Sequence, residues 1–221
     1  QAVGSKYKNR FLGTIGDMGC FSFHGTKNFT CGEGGAFLTN NKRIAEKAEI
    51  IREKGTNRSA FLRHEVNKYV WMDVGSSYVL SDIQAAILFA QLKKIEYIIS
   101  TRRKIGLRYL DSLKVFEKKG NIILPKFPPD DVNWHLFYFR IRDQERRDLI
   151  LKSLRGKGIE AASHFLPLHL SPYAKREFKY KKGDFPMTER VSATLIRLPI
   201  YPELRQNEQE YIIDSIYSIL K

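Results

Sequence analysis

Lys27 ends an alternating segment, Gly19-Cys20-Phe21-Ser22-Phe23-His24-Gly25-Thr26-Lys27-Asn28, and a glycine cluster, Gly32-Glu33-Gly34-Gly35, follows at once. A lysine in such a place suits covalent amine chemistry. An amine that forms a Schiff base must be fixed on a rigid element. It must also be partly deprotonated, which desolvation or a nearby positive charge brings about. Alternation puts Cys20, Ser22 and His24 on one face of a strand and Phe21 and Phe23 on the other, where they anchor it to a core. Ser22 then offers a small hydroxyl on the polar face, five residues before Lys27. The glycines allow a sharp turn and close approach to a ligand, and residues 36–39 read as the returning strand. The same residues also fit an ordinary hairpin with a solvated lysine at its tip, and local physics alone does not separate the two.

The elements that must position this lysine follow from the rest of the chain. Its 221 residues, 43% hydrophobic and 12% aromatic, suffice for one large domain or two small ones with a sizeable core. No apolar run approaches the ~18 residues of a membrane span. The chain opens at Gln1 rather than Met and enters strand-like sequence directly, which reads as a fragment whose front half lies elsewhere. Cys20 and Cys31 give neither a disulfide framework nor a metal spacing, so a reduced, cytoplasmic setting is expected. The formal charge of +14 comes from 38 basic and 24 acidic residues. These bases are scattered, the densest groups being Lys175-Arg176 with residues 179–182 and Arg146-Arg147. They join no nucleic-acid motif, so a solvated surface is the reading, with an anionic small substrate as a second use.

Residues 1–40 read as short strands and turns, 42–54 as a helix, and 57–71 as an ordered loop. Ser81 is an N-cap with Gln84 at the capping-box position, opening a helical pattern with two apolar stripes that runs, with or without a break, to about Leu113. After Gly120 the texture changes. Strands are expected at 121–124, 134–141, 159–165 and 197–200, and helices at 144–157, 187–194 and 207–220. The alternation reads as a separate α/β domain.

Five segments in order resemble the DegT/StrS family of sugar aminotransferases, which are pyridoxal-phosphate enzymes. These are Gln1-Ala2-Val3-Gly4, Phe21-Ser22-Phe23-His24 through Lys27-Asn28, Gly32-Glu33-Gly34-Gly35, Ser81-Asp82-Ile83-Gln84-Ala85-Ala86, and His164-Phe165-Leu166-Pro167-Leu168-His169. Together they span nearly the whole chain. A narrower resemblance comes from Lys54-Gly55-Thr56-Asn57-Arg58-Ser59, Lys68-Tyr69-Val70-Trp71 and Asp73-Val74-Gly75-Ser76-Ser77-Tyr78. These are similar to the branch that makes dTDP-4-amino-4,6-dideoxygalactose. Most of the family has Gly-x-Asn-Tyr where this chain has Gly75-Ser76-Ser77-Tyr78.

The resemblance implies an α/β fold of the aspartate-aminotransferase type. Residues 1–100 would form the C-terminal portion of a large cofactor-binding domain with a mixed, mostly parallel sheet. Residues 101–221 would form a small C-terminal α/β domain. It implies pyridoxal 5′-phosphate as cofactor and Lys27 as its Schiff-base lysine and proton-transfer base. Ser22 would bind the cofactor phosphate, and Gln1 would lie near the ring hydroxyl. Ser77 would reach a neighbouring subunit's phosphate in a homodimer with shared active sites. His164 and His169 would line the sugar-nucleotide pocket, either remaining open to a structural reading, and His24 would be a supporting residue. No metal, nucleic acid or membrane partner is implied.

The implied reaction moves an amino group from L-glutamate to C4 of a dTDP-4-keto-6-deoxyhexose. Other 3- or 4-aminotransferases of the family, and a non-catalytic basic binding protein, are the competing readings. Family members that dehydrate at C3 carry His where this chain has Lys27. The family's ring-nitrogen aspartate would fall two residues before Gln1, so these 221 residues alone are expected to be inactive and to bind cofactor poorly.

Overall fold

The computed structural model describes residues 1–221. They form two compact units, one of Gln1–Ile99 with Asp130–His135, the other of Ser100–Pro129 with Leu136–Lys221.

The first unit begins with a small ladder, β1 (Lys6–Tyr7) against β2 (Arg10–Phe11). The hairpin that carries Lys27 follows, β3 (Gly19–Ser22) against β4 (Gly35–Leu38), with Phe21 opposite Ala36 and Ser22 opposite Gly35. Phe21 and Phe23 point inward, while Cys20 and His24 are exposed, as the alternation predicts. Phe23, Phe29, Cys31 and Ile98 make a compact apolar cluster with Val3, Phe21, Leu80 and Leu88 against it. Helix α1 (Lys42–Arg52) starts where the Asn41 side chain accepts from the Arg43 and Ile44 N–H groups. A short helix, α2 (Arg58–Leu62), interrupts the stretch read as loop.

Ser81 caps α3 (Asp82–Leu92) as expected, accepting from the Gln84 N–H at 3.3 Å. The helical pattern does break, between Leu92 and Ile95, and resumes as α4 (Ile95–Lys118). The strap at 73–78 docks on the end of α1, the Ser76 N–H donating to the Ile51 carbonyl and the Tyr78 N–H to the Arg52 carbonyl, each at 3.0 Å. Gly55 and Gly75 meet backbone to backbone there, and a Cβ on either would collide with the other segment.

In the second unit β5 (Phe137–Arg140) pairs antiparallel with β6 (Leu195–Leu198), placing Phe139 opposite Ile196. Single bridges extend this ladder on both sides, Ile123 to Arg140 and Ala162 to Arg197. The strands expected at 121–124 and 159–165 reduce to these bridges. The strand expected from Trp134 starts only at Phe137, because Trp134 takes a left-handed backbone (φ 51°) that ends the extended run. Helices α5 (Gln144–Gly156), α6 (Pro172–Glu177), α7 (Pro186–Thr194) and α8 (Gln206–Leu220) complete the unit. The short α6 was not legible from periodicity. Tyr109, Leu113, Phe139, Leu154, Ile196 and Ile216 lose all contact with solvent in its core.

Every ladder here is antiparallel. The mostly parallel sheet expected for the large domain is therefore not formed among these residues. Parallel pairing needs a crossover of a dozen or more residues, usually a helix, between partners. The twelve residues 23–34 between β3 and β4 contain no helix, and the chain folds back beside β3. No helix is long and apolar enough to cross a membrane.

Candidate active site

Lys27 follows β3 on a turn closed by its own N–H, which donates to the His24 carbonyl at 2.9 Å. The side chain is half-buried, and its amine has neither a hydrogen bond nor an ion pair. A lysine on the surface of a +14 chain usually extends into water. This one directly precedes the buried Asn28 and Phe29.

His24 braces the turn from the front. Its Nδ1 accepts from the Thr26 N–H at 3.1 Å and lies 3.0 Å from the Thr26 hydroxyl. Accepting at Nδ1 puts the ring proton on Nε2, which faces a Glu33 carboxylate oxygen at 3.4 Å. The Glu33 carbonyl in turn accepts from the Gln84 side-chain amide at 2.9 Å, joining the glycine loop to the first turn of α3.

Asn28 braces it from behind. The Asn28 amide donates to the Asn133 carbonyl at 2.9 Å, and its Oδ1 lies 3.0 Å from His135 Nδ1. The Asn133 amide donates to the Gln1 carbonyl at 2.6 Å and the Val3 carbonyl at 2.9 Å, and its own N–H donates to the Ser5 hydroxyl at 2.9 Å. Asn28, Asn133 and Ser5 are all buried, so each of these bonds replaces water that is no longer available.

Gln1 sits at the rear brace of the Lys27 turn, its carbonyl accepting from the Asn133 side-chain amide at 2.6 Å. Ser22 lies on β3, its hydroxyl accepting only a long 3.4 Å contact from the His24 N–H. Ser77 is exposed on the strap, in a bridge with Glu53, and no hydrogen bond joins it to Lys27 or Ser22. His164 and His169 belong to the second unit. His164 is exposed, its pKa lowered by partial desolvation and then by the Arg197 charge. His169 is buried and committed: its Nε2 lies 2.9 Å from Glu189 Oε1, and its ring packs tilted against Phe185 at 4.8 Å between centroids.

Sequence reasoning did not single out Thr26, Asn133 and His135, and gave Asn28 no role of its own. Asn28 carried a signal, an amide set directly before the buried Phe29. Asn133 and His135 carried none, because their partners lie more than a hundred positions away.

A half-buried amine without a counterion, at the end of a strand whose polar face carries a hydroxyl, fits a covalently held aldehyde with a phosphate arm. The comparisons agree with that chemistry. The DegT/DnrJ/EryC1/StrS aminotransferase family model matches residues 1–217. The chain belongs to this family. It is 31% identical to the spore coat polysaccharide biosynthesis protein SpsC of Bacillus subtilis over 100% of this chain and 58% of SpsC. Among solved structures it is similar to S. venezuelae DesV in complex with a ketimine intermediate, at 31% identity and TM-score 0.87, covering 100% of this chain and 56% of DesV. It is also similar to NtdA from Bacillus subtilis with bound cofactor PMP, at 26% identity and TM-score 0.83, covering 95% and 47%. The chain thus spans about half the length of these relatives. Its fold is that of a partial α/β aminotransferase.

Proposed function

We propose that the protein transfers an amino group from L-glutamate to C4 of a dTDP-4-keto-6-deoxyhexose, giving dTDP-4-amino-4,6-dideoxygalactose. The observation that carries this reading is Lys27, half-buried, without a counterion, and held on a turn braced from both sides. Family membership supports the reaction class, and the Gly75-Ser76-Ser77-Tyr78 strap supports the sugar.

Pyridoxal 5′-phosphate, bound at Lys27, supplies the carbonyl for the covalent bond and the electron sink that makes the adjacent C–H bond acidic. The chain's own residues do the rest. The Lys27 amine would move a proton from the donor's α-carbon to the cofactor's carbonyl carbon, and in the second half reaction from that same carbon to sugar C4. The Ser22 hydroxyl would donate to the phosphate, and Gln1 would lie near the ring hydroxyl. Ser77 would reach the phosphate of the neighbouring subunit in a homodimer. His164 would line the sugar-nucleotide pocket, and His169 would act on it through Glu189, which holds the Gly183 backbone. Cytoplasmic nucleotide-sugar synthesis for cell-surface polysaccharide is the setting that fits this substrate.

The test is borohydride reduction of the full-length protein with pyridoxal 5′-phosphate, followed by peptide mass spectrometry. The cofactor mass is expected on Lys27 and is absent in Lys27→Ala. An unmodified Lys27 in the wild type overturns the reading. Mass spectrometry and NMR of the product from dTDP-4-keto-6-deoxyglucose and glutamate then fix the sugar and its C4 configuration.

A further inference from the structure

We infer that His135, acting through Asn28, is a positioning residue for Lys27. This rests on Lys27 being the cofactor lysine. The geometry is specific. The Asn28 amide donates to the Asn133 carbonyl at 2.9 Å, which orients the side chain and turns Oδ1 towards His135 Nδ1 at 3.0 Å. Oδ1 can only accept, so His135 carries its proton on Nδ1 and donates it. The Asn133 side chain fixes the His135 backbone as well, its Oδ1 accepting the His135 N–H at 3.2 Å.

Between these two residues Trp134 is 1% exposed and holds φ at 51°. A bulky residue in the left-handed region is strained, and persists where the surroundings over-determine it. Its effect here is to set the Asn133 carbonyl and the His135 ring so that both reach one amide. That amide belongs to the residue next to Lys27. Buried polar groups with complete partners fix one arrangement more sharply than apolar packing does, since any shift leaves a donor or acceptor unpaired. A lysine that must meet two different carbon acids in turn needs that fixed origin, because small misplacements of a catalytic group are costly.

The experiment uses the full-length protein and the variants His135→Phe, His135→Gln, Asn28→Ala and the double variant Asn28→Ala/His135→Phe. His135→Phe keeps a ring of similar size and removes the donor. Amide hydrogen exchange across 24–31 is expected to quicken roughly tenfold, and kcat to fall roughly tenfold with KM for the keto sugar unchanged. His135→Gln restores a donor and is expected to recover both to within about threefold of wild type. The double variant is expected to be no worse than the worse single one, because one residue acts through the other.

Wild-type exchange and kcat in His135→Phe overturn the inference. So does a double variant whose loss is the product of the single losses. Should His135→Phe fail to fold, Asn28→Ala alone carries the same expectation, and wild-type values there overturn it. Amide exchange reads the brace without cofactor, whereas borohydride trapping on wild-type Lys27 reads the aminotransferase function, so the two can fail separately.

Discussion

The unit that carries Lys27 and the unit that carries His164 are built on different economies. In the second, Phe139, Leu154, Ile196 and Ile216 are fully enclosed between one sheet and its helices. In the first, the enclosed cluster is small, and Trp71, Val74 and Ile83 stand with 77%, 80% and 76% of their surface exposed. The helix α3, apolar along much of its length, buries no residue at all. What holds the lysine turn is instead a set of directed bonds, His24 to Thr26 and Asn28 to Asn133 and His135. Non-directional burial makes one unit stable, and directional polar contacts make a precise site in the other.

The largest test of that contrast lies in the second core. Phe139 is fully buried opposite Ile196, so Phe139→Ala leaves a cavity that neighbours on two elements cannot fill. A loss of about 3–5 kcal/mol is expected in denaturant unfolding. A loss below about 1 kcal/mol would mean that this core collapses easily and that the two units do not differ as described.

The legible parts of the molecule are those set by local pattern. Alternation around Phe21 and Phe23 predicted the hairpin, Ser81 predicted the start of α3, and apolar spacing predicted α1, α5, α7 and α8. The lysine was legible because its strand, turn and glycine loop are contiguous. Its bracing was not. Asn133 and His135 reach Asn28 only through the fold, and the left-handed Trp134 that aims them has no local sequence signature. The parallel sheet was expected from resemblance rather than from any pairing signal, and the ladders among these residues are antiparallel. His169 could be read from its motif as a pocket residue, yet its partner Glu189 lies on a later helix.

That histidine is one of several buried polar groups in the second unit, and it sharpens the comparison through pH. Donation from His169, then from the Gly183 N–H, holds the Glu189 carboxyl below its ordinary value of 4.5. A depressed carboxyl contributes stability above its unfolded pKa, and that contribution disappears as pH falls through the folded value. The wild type is therefore expected to lose stability on acidification below about pH 4.5 more steeply than Glu189→Gln, while the two run parallel at higher pH. Thermal melts across that range measure the slopes. Equal slopes would remove Glu189 from the bonds that hold the loop at 178–185.

The smallest effect is expected on the exposed face of α3. Ile83 lies in the first turn of that helix with most of its surface in water, so a polar replacement forfeits little burial. Ile83→Ser in the 221-residue chain should change unfolding free energy by less than about 0.5 kcal/mol. The same substitution in the full-length protein separates two states of this face. A similarly small change means that α3 meets water there too, and the first unit depends on its polar contacts alone. A change of about 1–3 kcal/mol means that apolar surface covers Ile83 in the longer protein. The economy of the first unit would then be one of shared burial, with the directed bonds around Lys27 serving precision rather than stability.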